Sequence, residues 1–213
     1  TNLIQFTGQE KQLLSKLFDA AEIMNELYWI QSYGDKEALM SSITDEATKK
    51  FVLINYGPWE RLNDNKACIE TAGEKPQGAN FYPKDMTKEE FNAWTDPKKA
   101  DLYTMITRDE AGKLKAVPYS EYFKPQLTRA AQLIKEAAEL AQDAGFKKYL
   151  TMRADALLSN DYRPSDMAWL DMKTSQFDFV IGPIETYEDA LFGYKAAFEA
   201  FILVKDMEWS KKL

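Results

Sequence analysis

The sequence predicts an α+β fold, mainly helical with a small, mostly antiparallel sheet. Two observations carry that expectation. Apolar residues recur at helical spacing over long stretches, two of which open at capping boxes, and the β-rich runs are few, short and unevenly placed. No self-similarity at the periods of helical-repeat solenoids is present, and Gly182 and Gly193 stand apart from any phosphate-binding glycine motif.

Thr7-Gly-Gln-Glu10 is a capping box, and Leu13, Leu14, Leu17, Ala21, Met24 and Tyr28 mark the apolar stripe of the helix it opens, with Gly34 as its stop. Residues 35–42 and 44–54 read as two shorter helices. Pro58 pushes Gly57 toward extended backbone and breaks the pattern at 55–59. Residues 60–86 read as a long polar loop with a short strand around Phe81. A second capping box, Thr87-Lys-Glu-Glu90, opens a short helix to about Trp94. Residues 102–107 and 113–117 flank the turn-like Arg108-Asp-Glu-Ala-Gly112 and make a hairpin.

From Tyr119 a long helix keeps Phe123, Leu127, Ala130, Ala131, Ile134, Ala137, Ala138 and Ala141 on one face, with Gly145 as its C′ stop. Residues 146–158 form another helix, with Tyr149, Leu150, Ala154, Leu157 and Leu158 facing inward. Pro164 suits the first turn of a short helix through Trp169. Phe177-Asp-Phe-Val-Ile181 reads as a strand continuing toward Tyr187, and the residues from Asp206 read as the opening of a helix. Trp59 and Trp169 are expected in the core.

At 213 residues and 45% hydrophobic content the chain can bury a substantial core, and its net charge of -7 argues against a nucleic-acid footprint. No apolar run is long enough to span a membrane as a helix. Nucleic acid and membrane are therefore not expected as partners. Cys68 is the only cysteine, which rules out an internal disulfide and fits a reducing compartment such as the cytoplasm; an exported form with its signal peptide removed stays open.

Histidine is absent. Ser-His-Asp and Cys-His catalysis are thereby excluded, and a catalytic zinc normally takes three protein ligands that include histidine. No metal ligand is expected in this chain, leaving carboxylate, lysine and tyrosine chemistry. The chain starts at Thr1 and its last residues open a helix without a stop, so it reads as a piece of a longer polypeptide.

Phe179-Val-Ile-Gly-Pro-Ile-Glu-Thr-Tyr-Glu-Asp-Ala-Leu-Phe-Gly-Tyr-Lys-Ala-Ala-Phe-Glu-Ala-Phe201 is the most distinctive stretch. It resembles the Glu-Ser-Tyr-x-Asp segment of the dipeptidyl peptidase III family and the Phe-Glu-Gly-Phe that follows it. It is closer to the bacterial and plant branch called Nudix-hydrolase-3-like, where Glu-Thr-Tyr-Glu-Asp is the usual form. Asn55-Tyr-Gly-Pro-Trp-Glu-Arg-Leu62, Gly78-Ala-Asn-Phe-Tyr-Pro83 and Ala154-Asp-Ala-Leu-Leu158 are similar to that branch as well, so the resemblance covers most of the chain. Ser159-Asn-Asp-Tyr-Arg-Pro-Ser-Asp166 departs from the Gly-Ser-x-Glu-Ala-His segment of the animal and yeast enzymes, and the Nudix box is absent.

The resemblance implies the N-terminal, substrate-side lobe of a two-lobed zinc peptidase that removes dipeptides from short peptides. The zinc is then expected in the missing C-terminal part, where the family carries its His-Glu helix, and that half of the same polypeptide becomes a partner alongside the peptide. On an extended 184–187, alternation puts Glu185 and Tyr187 on one face. Glu185 can then pair with the free α-ammonium of a peptide, and Tyr187 can donate to the scissile carbonyl as it becomes an oxyanion. The resemblance implies the same two roles.

Asp189 is expected to cap the following turn and Glu199 to support the site from behind. Asn80 and Tyr82 read either as part of a strand that pairs with substrate backbone or as part of a loop anchored by buried aromatics. Two rival readings stand beside the peptidase: a self-contained binding or scaffold domain, and a glycosidase-like enzyme built on two carboxylates.

Overall fold

The structure, a computed structural model, describes residues 3–210 and 212. Its elements are α1 (Gly8–Ser32), α2 (Lys36–Ser42), α3 (Glu46–Asn55), β1 (Trp59–Glu60), β2 (Lys66–Ala67), α4 (Lys88–Ala93), β3 (Thr104–Arg108), β4 (Leu114–Pro118), α5 (Tyr119–Tyr122), α6 (Lys124–Leu140), α7 (Ala144–Ser159), α8 (Arg163–Asp171), β5 (Phe177–Glu185), β6 (Ala197–Val204) and α9 (Met207–Ser210). The strands pair in three two-stranded antiparallel sheets, β1 with β2, β3 with β4 and β5 with β6. The fold is mainly helical α+β, as the capping signals and apolar periodicity predict.

The chain divides into two compact units. The first comprises Thr1–Asn25, Tyr119–Gly182 and Phe198–Leu213. The capping box at its start forms in both directions: Glu10 N–H donates to Thr7 Oγ1 at 3.2 Å, and Thr7 N–H to Glu10 Oε2 at 2.7 Å. Leu13, Leu17, Ala20 and Met24 of α1 are buried, as are Leu127 and Ile134 of α6, Phe146 and Leu150 of α7, and Phe179 and Ile181 of β5. Ring pairs pack in the same core, Phe6 tilted against Phe177 at 5.3 Å and Phe123 edge-on to Phe198 at 5.7 Å.

Several local expectations change here. The helix expected from Tyr119 is divided at Phe123 into α5 and α6, with Pro125 in the first turn of α6. Gly145 does not stop it. Asp143 instead accepts the Phe146 N–H at 2.8 Å as the N-cap of α7, which places Gly145 inside that helix's first turn. A carboxylate cap satisfies an orphan N–H, and this local bond outweighs the tendency of glycine to end a helix. Trp169 and Leu158 are partly exposed instead of buried, and the Trp169 indole N–H donates to Asp178 at 2.7 Å. β6 has no counterpart in the pattern, because Phe198–Val204 is apolar without strict alternation.

The second unit comprises Glu26–Pro118 and Pro183–Ala197. Trp29, Leu39, Ile43 and Val52 form one core cluster, with Tyr33, Met40, Tyr56 and Ile69 packed on it. Asp35, Asp45 and Thr87 cap α2, α3 and α4 through their side chains. The expected hairpin is β3–β4, with Met105 opposite Val117. Phe81 lies in a bend and not in a strand. Gly78 and Ala79 turn the chain at φ 83° and 43°, and Phe81 N–H donates back to Gly78 O at 3.0 Å. The strand content of this loop is instead the short β1–β2 pair.

Gly78 is required at its turn by two facts together. Its φ lies in the left-handed region, and an added Cβ would stand 2.7 Å from Tyr82 Cδ2 and 3.2 Å from Leu191 Cβ.

Candidate functional site

The site residues of the second unit lie at and just after the end of β5. The strand stops at Glu185, and Asp189 N–H donates to Thr186 O at 3.1 Å, closing a turn that carries Tyr187 and Glu188. The extended conformation supposed over 184–187 therefore ends before Tyr187, and strand alternation does not relate the Glu185 and Tyr187 side chains. Both are exposed, Tyr187 to 65%. The Glu185 carboxylate takes no hydrogen bond or salt bridge among the described residues. The two residues that follow Tyr187 are the opposite: Glu188 and Asp189 are 3% and 1% exposed. An accessible carboxylate at the end of the strand thus precedes an accessible phenol on a turn whose far end is anchored in the interior.

Glu188 is held by three donors besides its neighbours in the chain. Both Nη atoms of Arg61 bind it, Nη2 to Oε1 at 3.2 Å, while Lys75 Nζ lies 2.8 Å from Oε1 and Tyr28 OH 3.1 Å from Oε2. Burial works to raise the Glu188 carboxyl, but the hydrogen bonds and charges of Arg61 and Lys75 outweigh it and hold the group below the usual glutamate range. Burial, with the Glu188 charge, pushes the Tyr28 phenol far above its ordinary value, so Tyr28 stays a donor. The sequence pattern alone marks none of these partners as a site residue. Arg61 closes the Gly-Pro-Trp-Glu-Arg word and Glu188 adjoins Tyr187, so a signal existed for those two; Tyr28 and Lys75 gave none.

Asp189 organises the loop after the turn. Its carboxylate accepts from the N–H groups of Leu191 (3.2 Å), Phe192 (3.3 Å), Tyr194 (2.9 Å) and Lys195 (3.1 Å), and from Tyr82 OH at 2.6 Å. Tyr82 is thereby a buried partner of the loop. Asn80 is half-buried, its side chain donating to Ile30 O at 2.7 Å and its backbone N–H to Gln31 O at 2.9 Å. The Phe81 carbonyl accepts from Ile106 N–H, so the Asn80–Tyr82 segment is tied into the unit by its backbone. Glu199 belongs to β6, half-buried.

Lys195, fully buried, ends this loop. Its ammonium donates to Lys99 O, Asp101 O and Thr104 Oγ1, each at 2.8 Å. Burial pushes the group down to about 8, against the opposing pull of Asp101 and Asp189. The sign of the linkage follows. Between about pH 8 and the ordinary lysine value of 10.5 the unfolded chain holds a proton that the folded chain has released, so this group makes stability rise with pH across that window. Urea midpoints measured at about pH 7.5 and 9.5 are expected to show that contribution in the native chain and to lack it in Lys195→Met. Identical pH slopes for the two proteins would show that the ammonium is not destabilised by its site.

Among the described residues no group of three or more His, Cys, Asp or Glu side chains is placed to hold a metal ion, and Cys68 is exposed. No described helix is long and apolar enough to cross a membrane.

No family model matches the chain. The chain is 31% identical to "Nudix hydrolase 3" of Arabidopsis thaliana, over 96% of its own length and 34% of that protein. Two solved structures superpose on all of it: DPP III from Caldithrix abyssi, with a TM-score of 0.93 and 42% identity, and dipeptidyl-peptidase III from Corallococcus sp. strain EGB, with 0.92 and 35%. The chain spans 43% and 42% of those two proteins, and about a third of the plant relative.

Proposed function

We propose that this chain, which belongs to the dipeptidyl peptidase III family along its whole length, is the substrate-side part of a zinc-dependent hydrolase that removes dipeptides from short peptides. The observation that carries the reading is the end of β5 together with the turn that follows it. Together they present an uncommitted carboxylate, Glu185, and an exposed phenol, Tyr187, in the Glu-Thr-Tyr-Glu-Asp order, while Glu188 and Asp189 fix the turn from beneath.

Glu185 takes the free α-ammonium of the peptide, which sets the cut at a constant distance from the N-terminus. Tyr187 donates its hydroxyl proton in a hydrogen bond to the carbonyl oxygen that gains charge as the peptide bond is attacked. Asp189 and Tyr82 shape the loop behind these groups, and Asn80 ties the neighbouring segment to α1.

A catalytic zinc does not fit the donor set of this chain: it has no histidine, one exposed cysteine, and no metal-holding cluster among the described residues. The reading gives this chain peptide binding and oxyanion stabilisation, and assigns the metal to the rest of the polypeptide. The rest of the polypeptide is the partner, and no cofactor is bound by this part alone.

The test uses the full-length polypeptide with dipeptidyl arylamide substrates. Zinc-dependent dipeptide release is expected from it and none from the chain alone. Glu185→Gln should raise KM about ten- to a hundredfold, the loss of one charge-assisted hydrogen bond, with a much smaller change in kcat. An N-acetylated substrate should be handled poorly by both forms and should not distinguish them. A full-length protein that releases no dipeptides would sink the reading, and an unchanged KM for Glu185→Gln would remove the ammonium anchor.

A further inference from the structure

The buried cluster under the turn carries an inference that rests on the reading of Tyr187 as the oxyanion donor. Glu188 follows Tyr187 directly, and its carboxylate is gripped by Arg61, Lys75 and Tyr28 within one unit. Arg61 is itself pinned. Its Nε donates to Asn55 O at 2.6 Å and its backbone N–H to Asn55 Oδ1 at 2.9 Å, and its guanidinium lies 5.4 Å from the Tyr28 ring centroid and 6.0 Å from that of Tyr56. Tyr56 in turn ends α3 in the left-handed region, at φ 53°. The turn bearing Tyr187 is thus tied through one carboxylate to the last turns of α1 and α3.

Two cations serve that single carboxylate, Arg61 through both Nη atoms and Lys75 through its Nζ. Stability alone is a weak reason for such a cluster, because buried ion pairs can often be replaced by apolar side chains at no loss. Holding a reacting group to within a fraction of an ångström is a better one.

We propose that Arg61 and Glu188 are positioning residues for Tyr187: the guanidinium clamps the carboxylate that follows Tyr187 and so fixes the turn that presents the phenol. Lys75 and Tyr28 complete the grip. The residues act through Tyr187 and make no contact with substrate.

The test is a double-mutant cycle in the full-length polypeptide, reading kcat and KM on a dipeptidyl arylamide. Glu188→Gln is expected to lower kcat about ten- to a hundredfold with KM within about twofold, because a displacement near 1 Å costs on that order. Arg61→Lys keeps the charge but cannot grip both oxygens in parallel, so it should lower kcat about tenfold while keeping the fold. This conservative variant serves if Glu188→Gln does not fold. In the Tyr187→Phe background, the same substitutions should change kcat by less than about twofold, since the group they position is gone.

Equal losses in both backgrounds overturn the proposal and leave the role of Tyr187 standing. So does a rise in KM with kcat unchanged. A Tyr187→Phe protein with near-normal kcat overturns both, and is told apart by that single variant.

Discussion

Tyr187→Phe in the full-length polypeptide is expected to lower kcat about 100- to 1000-fold, with KM and the thermal midpoint close to those of the unsubstituted protein. Removing one donor aimed at a developing oxyanion typically costs about 2.7 to 4 kcal/mol of transition-state stabilisation, which sets that range. The ground-state carbonyl carries little of the charge that the hydroxyl would meet, so the loss falls on kcat. The fold should not notice. Tyr187 is 65% exposed on a turn whose anchors are its neighbours Glu188 and Asp189, and surface truncations away from buried features usually change stability by about half a kcal/mol or less. A ring that only stacks on the peptide would give the opposite signature, a raised KM with turnover kept. Near-normal kcat in the phenylalanine variant would refute the donor role outright.

Asp189→Ala should be the most destabilising single change in the second unit's loop, by about 3 to 4 kcal/mol in urea unfolding. The carboxylate is 1% exposed and accepts from four backbone N–H groups and the Tyr82 hydroxyl. Hydrogen bonds to a charged group are each worth about 1.5 to 3 kcal/mol, but neighbours in one network do not add, so the expected total lies well under the simple sum. Part of the cost is the set of donors left without an acceptor. Asp189→Asn, which keeps one carbonyl oxygen, should recover about half the loss. Because the loop joins the turn of Tyr187 to the buried Lys195, the alanine variant should lose turnover too. A change under about 1 kcal/mol would show that water or backbone shifts replace the carboxylate with ease.

How far the site was legible depended on distance along the chain. The Glu185 and Tyr187 pair could be picked out because residue types two apart, in a distinctive word, lie side by side in the sequence. The orientation drawn from them failed in one respect, since the strand yields to a turn after Glu185. That turn is stabilised by Glu188 and Asp189 reaching into the interior, and a local pattern does not record where such a side chain finds its partner. Arg61 and Glu188 stand 127 positions apart, and Tyr28 and Glu188 160. Asn80 and Tyr82 show the same limit. Their segment reads equally as strand or anchored loop until the bonds to Ile30, Gln31 and Asp189 are seen, and those make it an anchored bend.

By itself the sequence determined the mainly helical α+β class, the starts of α1, α2, α3 and α4, the β3–β4 hairpin, and the lack of histidine. These are matters of composition or of bonds closed within a few residues, such as Thr7 with Glu10, and their physics is complete over a single turn. The tertiary structure alone decided that Asp143 caps α7 where Gly145 promised a stop, that β6 pairs with β5, and that Trp169 remains partly exposed. It alone placed a buried carboxylate with two cations beneath Tyr187. In each case the deciding term is burial or pairing between segments far apart in the chain, a property of where the backbone travels that neither residue carries on its own.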